Sequence, residues 1–327
     1  MSIKESAKAP KESAKASDRS GKTVALALGS GGARGYAHIG VLDALHERGY
    51  RIVGVSGCSM GAVVGGFYCA GKLDTFRDWV GSLGYLDVLR LVDVSLASGG
   101  VIRGDRVFSV INEMLGDQTI EALEIPFTAI ATDMSCNREV WFQSGSLETA
   151  IRASSAIPSV FNPVMRGSQV LVDGGVLNPL PISPCVSLHA DLIMAVDLNS
   201  NLPMPENFQF TSSEACRKQP DWLDEAIDKA SSWLDSKKES SVRQEVGVNL
   251  GKFEMINRMF EVMQGSLTRL KTAAYPPDLL VNLPVTSCEM YEFYRAKEMI
   301  ALGHHVATMA LDAWEQGRSS PYGQRMI

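Results

Sequence analysis

The sequence predicts an α/β protein whose central, mostly parallel sheet is flanked by helices. Short apolar runs that stop at a glycine, such as residues 23–28 before Gly29, are typical of buried parallel strands. Between these runs, apolar residues recur at the spacing of an amphipathic helix. The alternation of the two patterns indicates strands joined by helical crossovers. Because 45% of the 327 residues are hydrophobic, the chain also has ample material for a large core.

The first elements predict a βαβ unit followed by a further helix. Strands are predicted over 23–28 and 51–56, with helices over 36–48 and 60–70. Gly49 stands where a glycine commonly ends a helix. Because the crossover of such a unit is right-handed, the loops that follow the two strands meet at one edge of the sheet. The glycine-rich segment 29–35 and Ser59 are therefore expected to face the same crevice.

The rest of the chain predicts further elements of the same domain. Residues 74–115 have a mostly helical pattern with a break at 98–100, and helices are predicted over 253–270 and 291–314. The helix over 253–270 is indicated by apolar residues at helical spacing, namely Ile256, Met259, Phe260, Met263 and Leu267. Further strands are predicted over 126–132, 139–142, 170–172, 192–196 and 279–281. Because no clean linker separates these elements, residues 21–327 are predicted to form one catalytic domain.

Two segments differ from this domain in composition. Residues 1–20 contain two near-repeats of Lys-Glu-Ser-Ala-Lys and are predicted to be a disordered tail. Residues 201–249 are polar and are interpreted as an insertion or lid-like segment. Within them, 222–234 carry Trp222, Trp233 and aliphatic residues on one side. A helix packed on the core is favoured there over a lid or a helix that rests on a membrane.

Composition argues against several functional classes. A net charge of −6 is atypical of a general nucleic-acid binder. The six cysteines are scattered without a C-x-x-C pair, which argues against zinc or a disulfide framework and predicts reduced thiols. The N-terminus lacks the apolar core of a signal peptide, and no apolar run reaches the ~18–20 residues of a transmembrane helix. These features predict a cytoplasmic protein and indicate that any contact with a membrane is peripheral.

A G-x-S-x-G box at 57–61 makes Ser59 the candidate nucleophile. A predicted strand precedes the box and a helix rich in small residues follows it, which is the setting of a nucleophile elbow. Gly57 and Gly61 leave room for close packing of helix on strand around this turn. The hydroxyl then lies at a helix N-terminus, where the dipole favours developing negative charge. A tight turn without chemistry is the alternative.

Segment 29–35 supplies candidate groups for binding an anion. A dinucleotide-binding G-x-G-x-x-G would need glycine where Arg34 stands, and the P-loop-like ending at 21–23 lacks its upstream glycine. Consecutive glycines at a helix N-terminus can instead direct N–H groups at an oxyanion formed during acyl transfer. Arg34 is predicted to order the loop by binding carbonyl groups, with contact to a lipid phosphate as the alternative.

Asp173 is the candidate base. A solvated aspartate, with a pKa of about 3.9, is a poor base at neutral pH, but burial raises the pKa and a hydrogen bond to serine permits direct proton transfer. Gly174 and Gly175 allow the backbone to bend and approach closely. A triad completed by His189 or His304 fits by chain order alone. A simple turn residue is the remaining interpretation of Asp173.

These motifs resemble those of the patatin-like phospholipases, especially bacterial proteins related to the catalytic domain of neuropathy target esterase. The matching pieces lie in the family's order over roughly residues 22–200: G-G-A-R-G at 31–35, G-C-S-M-G at 57–61, R-A-S-S-A-I-P at 152–158 and D-G-G at 173–175. In the family's GGGxRG loop, the first place is taken here by Ser30. The resemblance implies a three-layer patatin-like fold, a Ser59–Asp173 dyad, and an oxyanion hole from Gly31, Gly32, Ala33, Arg34 and Gly35.

The resemblance also implies an activity. It implies hydrolysis of acyl esters in phospholipids or lysophospholipids through a covalent acyl-enzyme, with no metal and no other cofactor. An acyltransferase or a small-ester esterase would use the same dyad. A lipid-binding regulator that no longer turns over is an alternative of another class. Head-group preference and oligomeric state leave no signal in the sequence.

Overall fold

The structure is a computed structural model, and it describes residues 21–91, 105–158, 160–210 and 241–326. Its centre is a nine-stranded sheet with the order β5-β6-β3-β2-β1-β7-β8-β9, in which β4 also pairs with β3. The strands are β1 Thr23–Leu28, β2 Arg51–Cys58, β3 Phe127–Asp133, β4 Arg138–Phe142, β5 Val164–Arg166, β6 Gln169–Asp173, β7 Leu192–Ser200, β8 Leu279–Pro284 and β9 Gly323–Arg325.

Eight α-helices lie within the described residues. They are α1 Ala37–Glu47, α2 Met60–Cys69, α3 Leu73–Ser82, α4 Tyr85–Leu91, α5 Asp105–Leu115, α6 Leu147–Ser154, α7 Ser241–Ala274 and α8 Ala296–Glu315. The residues of α1, α2, α6 and α8 join one large core with one face of the sheet. The other face, including Ala25 and Ala27 of β1, is covered by the segment around Leu180, Ile182 and Cys185. The predicted α/β class is confirmed.

Five strands in the middle of the sheet are parallel, namely β3, β2, β1, β7 and β8. The pairings of β4, β6 and β9 with this group are antiparallel, and so is that of β5 with β6. Parallel strands buried on both faces explain the uninterrupted apolar sequence of β1. Because β1 and β2 are parallel neighbours, the loops after Leu28 and Cys58 lie at the same sheet edge. The predicted crevice is confirmed, since one cavity is lined by both Gly32 and Ser59.

Helix α6 and strands β5 and β9 are absent from the sequence-based prediction, and helix α7 differs from it in its start. Strands β5 and β9, each of three residues at the edge of the sheet, are too short to give a periodic pattern. Helix α7 begins at Ser241 rather than 253, inside the range interpreted as an insertion. Its apolar row does not pack on the core, because Ile256, Met259 and Met263 are exposed.

Several predicted features lie outside the described residues, namely the tail 1–20, the helical break at 98–100 and the amphipathic stretch 222–234. Five of the six cysteines are described, and all five are free thiols. None of the helices in the described ranges combines the length and apolarity needed to cross a bilayer.

Helices α1 and α8 cross in backbone contact. A Cβ added to Gly40 of α1 would lie 2.0 Å from the carbonyl oxygen of Ile300, and one added to Gly303 of α8 would lie 2.0 Å from that of Ala37. Since neither backbone can retreat without losing the core beneath it, the two glycines fix the separation of these helices.

We expect Gly303→Ala to destabilise the protein by about 1–3 kcal/mol, because the added methyl group overlaps the α1 backbone. Gly81→Ala is the matched control, since its Cβ would be 3.5 Å from the nearest atom, the Cε of Lys297. Alanine is the better helix former, so this control is expected to be neutral or stabilising by up to ~1 kcal/mol. Urea denaturation measures both. Equal effects at the two positions would contradict the backbone contact.

Candidate active site

Ser59 lies on a strained turn between β2 and α2. Its φ of 55° and ψ of −124° place it in the left-handed half of φ/ψ space, which costs of order 1–3 kcal/mol for a residue with a side chain. Flanking glycines make the turn feasible. A Cβ on Gly57 would lie 2.4 Å from the carbonyl oxygen of Gly61, and a Cβ on Gly61 would lie 2.2 Å from that of Leu28.

Two serines at the end of α6 hold this turn. The Ser59 amide donates to Oγ of Ser154 at 3.0 Å, and the Ser154 hydroxyl donates to the carbonyl of Ile130 at 2.6 Å. Ser155 donates from Oγ to the Ser59 carbonyl at 3.3 Å. Ser154 is fully buried. Sequence reasoning placed both serines in a matching motif but gave them no role.

Asp173 ends β6 and is fully buried beside this turn. Its Oδ1 accepts a hydrogen bond from the Gly175 amide at 2.7 Å, and the Cys58 thiol lies 3.9 Å from the same oxygen. Burial raises the pKa of Asp173 from 3.8 to about 6, against the lowering effects of the Ser59 hydroxyl, the Gly175 amide and the Cys58 thiol.

The side chains of Asp173 and Ser59 lie close together without a well-formed hydrogen bond. The Ser59 hydroxyl is near enough to lower the pKa of Asp173, yet Oδ2 of Asp173 has no partner that meets hydrogen-bond geometry. The proximity of the two side chains is compatible with a catalytic pair, because catalytic hydrogen bonds commonly tighten only when substrate is bound. Gly174 permits this arrangement, since its Cβ would lie 2.2 Å from the carbonyl oxygen of Ile130.

Some amides of the glycine-rich loop are hydrogen-bonded to neighbouring carbonyls and others are not. Ala33 donates its N–H to the Met290 carbonyl at 2.9 Å, and Arg34 donates its N–H to the Gly31 carbonyl at 3.2 Å. Within the described chain, the N–H groups of Gly31 and Gly32 have no such partner, and neither does that of Met60 in the first turn of α2. Among the predicted oxyanion donors, the amides of Ala33 and Arg34 are thus engaged elsewhere, whereas those of Gly31 and Gly32 stay candidates, and Met60 is a further candidate.

Gly32 shows why this loop needs glycine. Its φ of 56° favours glycine, and a Cβ there would lie 2.4 Å from both the Cγ and the carbonyl oxygen of Met290. A side chain at this position would therefore collide with Met290. Gly35 belongs to the same 3-10 turn, where a Cβ would lie 2.1 Å from Cγ of Met60.

Arg34 ties the glycine-rich loop to neighbouring segments through its guanidinium. Its guanidinium is 1% exposed and donates to the carbonyls of Val285 and Cys288, at 3.2 and 3.1 Å. It also donates to Asn199 at 3.1 Å and forms an ion pair with Glu261 of α7 at 3.0 Å. The predicted carbonyl-binding role agrees with these contacts. With its guanidinium buried among these partners, Arg34 is not placed to bind a lipid phosphate.

Helix α7 joins the two candidate catalytic loops, which sequence reasoning did not anticipate. Gln264 is fully buried and donates from Nε2 to Oγ of Ser30 at 3.2 Å. The same Nε2 would be 2.2 Å from a Cβ on Gly175. Ser30, the departure from the family's glycine, thus has a specific partner 234 positions away.

A second connection joins α7 to the loop after Asp173. Lys271 pairs with Glu139 of β4, and Glu139 in turn accepts a hydrogen bond from Asn178 at 2.9 Å. The backbone N–H of Asn178 donates to the Gly174 carbonyl at 2.8 Å. The ion pair and its hydrogen bonds therefore support the D-G-G turn.

The histidines considered for a triad are placed elsewhere. His189 precedes β7 and so lies toward the amino edge of the parallel sheet, opposite to Ser59. His304 of α8 contacts Glu47 at 2.8 Å. His38 lies in α1, where its Nε2 bonds to the Gly29 carbonyl and burial lowers its pKa to about 4. A neutral imidazole that donates to a carbonyl has a structural role.

An apolar cavity of about 100 Å³ opens beside Ser59. Ser59 and Ser155 are part of its lining. The rest of the wall is aromatic and aliphatic, and includes Tyr36, Val63, Phe76, Trp79, Phe108 and Phe161. Such a lining suits a hydrocarbon chain with one polar end.

We expect Ser154→Ala to reduce both stability and activity, because it leaves the Ser59 amide and the Ile130 carbonyl buried without their shared partner. Each unsatisfied group costs about 1–3 kcal/mol. Ser187→Ala is the control, since it removes a hydroxyl that donates to the Pro184 carbonyl within the segment Ser183–Leu188 and does not contact the elbow through this bond. Urea denaturation and kcat on a soluble ester measure the two effects. Wild-type kcat in Ser154→Ala would contradict a role in holding the turn.

Comparisons with known proteins agree with this architecture. A family model described as patatin-like phospholipase matches residues 26–186. An uncharacterized NTE family protein of Mycobacterium tuberculosis is 40% identical and is matched over 89% of this chain and 92% of its own length. The structure of VipD from Legionella pneumophila shares the fold, with a TM-score of 0.50 and 14% identity over 93% of this chain and 67% of that one.

Longer relatives match over part of the chain. Neuropathy target esterase sws of Drosophila melanogaster is 32% identical over 187 residues, which is 55% of this chain and 13% of that protein. Lysophospholipase nte1 of Emericella nidulans is 32% identical over 188 residues, or 55% of this chain and 12% of that protein. The match to the family model and the nearly full-length NTE family relative together show that the chain belongs to the patatin-like phospholipase family.

Proposed function

We propose that this protein is a serine esterase that hydrolyses acyl ester bonds of phospholipids or lysophospholipids through Ser59 and Asp173. The observation that carries the proposal is the juxtaposition of a strained serine, a buried carboxylate and an apolar cavity at one sheet edge. Family membership supports a lipase-type hydrolase. The name of the Emericella relative, a lysophospholipase, supports the substrate class.

In the first step, Asp173 accepts the proton of Ser59 as Oγ attacks the ester carbonyl. With a pKa of about 6, Asp173 is mostly ionised at pH 7 but still basic enough to accept this proton. The oxyanion of the tetrahedral intermediate is held by the free amides of Gly31, Gly32 and Met60. Loss of one such donor typically lowers kcat by about 10²- to 10³-fold.

The second step releases the acyl chain. The tetrahedral intermediate collapses to an acyl-Ser59 ester, and the alcohol leaves with the proton carried by Asp173. Water then attacks the acyl-enzyme and gives its proton to Asp173, which returns it to Oγ of Ser59. The fatty acid departs and the free serine is restored.

The apolar cavity supports a substrate with a hydrocarbon chain over a small ester. Ser59 and Ser155 meet the ester, whereas the aromatic walls contact only hydrocarbon. Burial of each methylene contributes about 0.8 kcal/mol, so a long chain gains binding free energy that a short acyl group lacks. Transfer of the same acyl group to an alcohol instead of water remains the chemical alternative.

We test the proposal by fluorophosphonate labelling together with fatty-acid release from lysophosphatidylcholine. Wild type should gain one adduct by intact mass and release fatty acid. Ser59→Ala should show neither, and Asp173→Asn should be labelled more slowly and release little. Ser187→Ala should match wild type. Absence of an adduct on wild type would refute the nucleophile, and labelling without release would refute the substrate class. Acyl transfer to added alcohol in preference to water would favour the acyltransferase.

We expect kcat/KM on a soluble ester to rise with pH through about 6 and then level, because Asp173 must be ionised to act as the base. The pH profile of kcat/KM measures this midpoint. Burial also raises the pKa of Asp197 to about 6. Asp197→Asn is therefore the control, and it should keep the midpoint near 6. A midpoint that disappears in this variant would assign the profile to Asp197.

A further inference from the structure

The face of helix α7 that packs against the protein carries polar side chains. Glu261 and Gln264 bond to Arg34 and Ser30 of the glycine-rich loop, and Lys271 pairs with Glu139. Thr268 and Thr272 are buried on the same side. These positions recur every three or four residues, so they form one face of the helix. This face is fixed to the loops that hold the candidate oxyanion donors.

The opposite face of α7 is apolar and exposed. At 100° per residue, Met255, Met259, Val262, Met263 and Leu270 all lie roughly opposite the buried polar row. Val262 is 62% exposed and Leu270 is 65% exposed. A helix on a soluble protein normally has the reverse arrangement, with its apolar stripe on the core. A contiguous exposed apolar face marks a surface that meets another apolar body.

The charges around this face favour a lipid surface as that body. Between 255 and 274, the exposed charged side chains in the described part of α7 are Arg258 and Arg269. Both are cationic on a chain whose net charge is −6. At 100° per residue both arginines lie along the same edge of the apolar face, where Arg258 also pairs with Glu261 at 3.2 Å. An apolar helix face bordered by arginines is the composition of a helix that lies in a membrane interface and contacts anionic head groups. If a second copy of the chain packed on this face by two-fold symmetry, the arginines of the two copies would lie near one another, which disfavours that arrangement.

Helix α7 lies at the edge of the sheet where the candidate catalytic residues meet. Its inner face contacts Ser30 and Arg34, which follow β1 at the sheet edge where Ser59 lies. We propose that the exposed face of α7, defined by Met255, Met259, Val262, Met263 and Leu270, docks on an anionic lipid surface. Docking would hold the catalytic edge of the sheet against the layer that contains the acyl chains. This inference rests on the proposed lipid substrate.

The test is co-sedimentation of the full chain with phosphatidylcholine vesicles, with and without phosphatidylglycerol. The test variant carries Met259→Ser, Val262→Ser and Met263→Ser together. Val186→Ser is the control, since Val186 is 55% exposed on the segment Ser183–Leu188 that covers the other face of the sheet. Fluorophosphonate labelling, which uses a soluble probe, should proceed at the wild-type rate in both variants and so report an intact site.

The triple variant should lower the partition coefficient by about tenfold or more, and the control should change it less than about twofold. Removing phosphatidylglycerol, raising the salt concentration or introducing Arg269→Gln should each weaken wild-type binding. Equal binding by wild type and the triple variant would overturn the proposal, and so would failure of wild type to bind.

A dimer in solution that the triple variant dissociates, without vesicle binding, would assign the face to a second copy and also overturn the proposal. A different outcome would refute the proposed function alone. Wild type that binds vesicles through this face but releases no fatty acid from any lipid would leave docking supported and the esterase refuted.

Discussion

The close approach of the first turn of α2 to the ends of β1 and β2 is the constraint on which the site depends. Backbone touches backbone there, since any Cβ on Gly57 or Gly61 would overlap a carbonyl oxygen. Ser59 consequently has to turn at positive φ, and its amide has to point back at Ser154. The position of Ser59 beside the cavity, the free Met60 amide and the position of α6 all follow from this contact.

Two unfavourable features are concentrated at this turn and are offset by the surrounding structure. Ser59 carries backbone strain, and Asp173 carries a charge that burial opposes. Because the folded pKa of Asp173 exceeds its unfolded value, the native state binds more protons between about pH 4 and 6. Stability therefore falls as the pH rises through this window, while the fraction of ionised base grows. Protein stability and reactivity have opposite pH dependence at this residue.

The fold and the site motifs could be predicted because their signals are local. A strand, a glycine and a serine within a few positions define the elbow at Ser59, and apolar runs define the five parallel strands. The supports of the site leave no such signal. Ser154 lies 95 positions from Ser59, and Gln264 lies 234 positions from Ser30. Periodicity correctly predicted α7 but not which face is buried, because its polar face has charged and amide partners that only the tertiary structure supplies.

The place of β1 in the sheet shapes how the chain can fold. Strand β1 is flanked by β2 on one side and by β7 on the other, and Val24 pairs with Leu192, 168 positions later. During synthesis at the ribosome, one edge of β1 stays open until β7 has emerged. An open, uncharged edge of Val, Ala and Leu is prone to pairing with other chains. Contacts of such long sequence separation also form slowly. Assembly of the sheet around β1 is therefore the step at which the nascent chain is most exposed to aggregation.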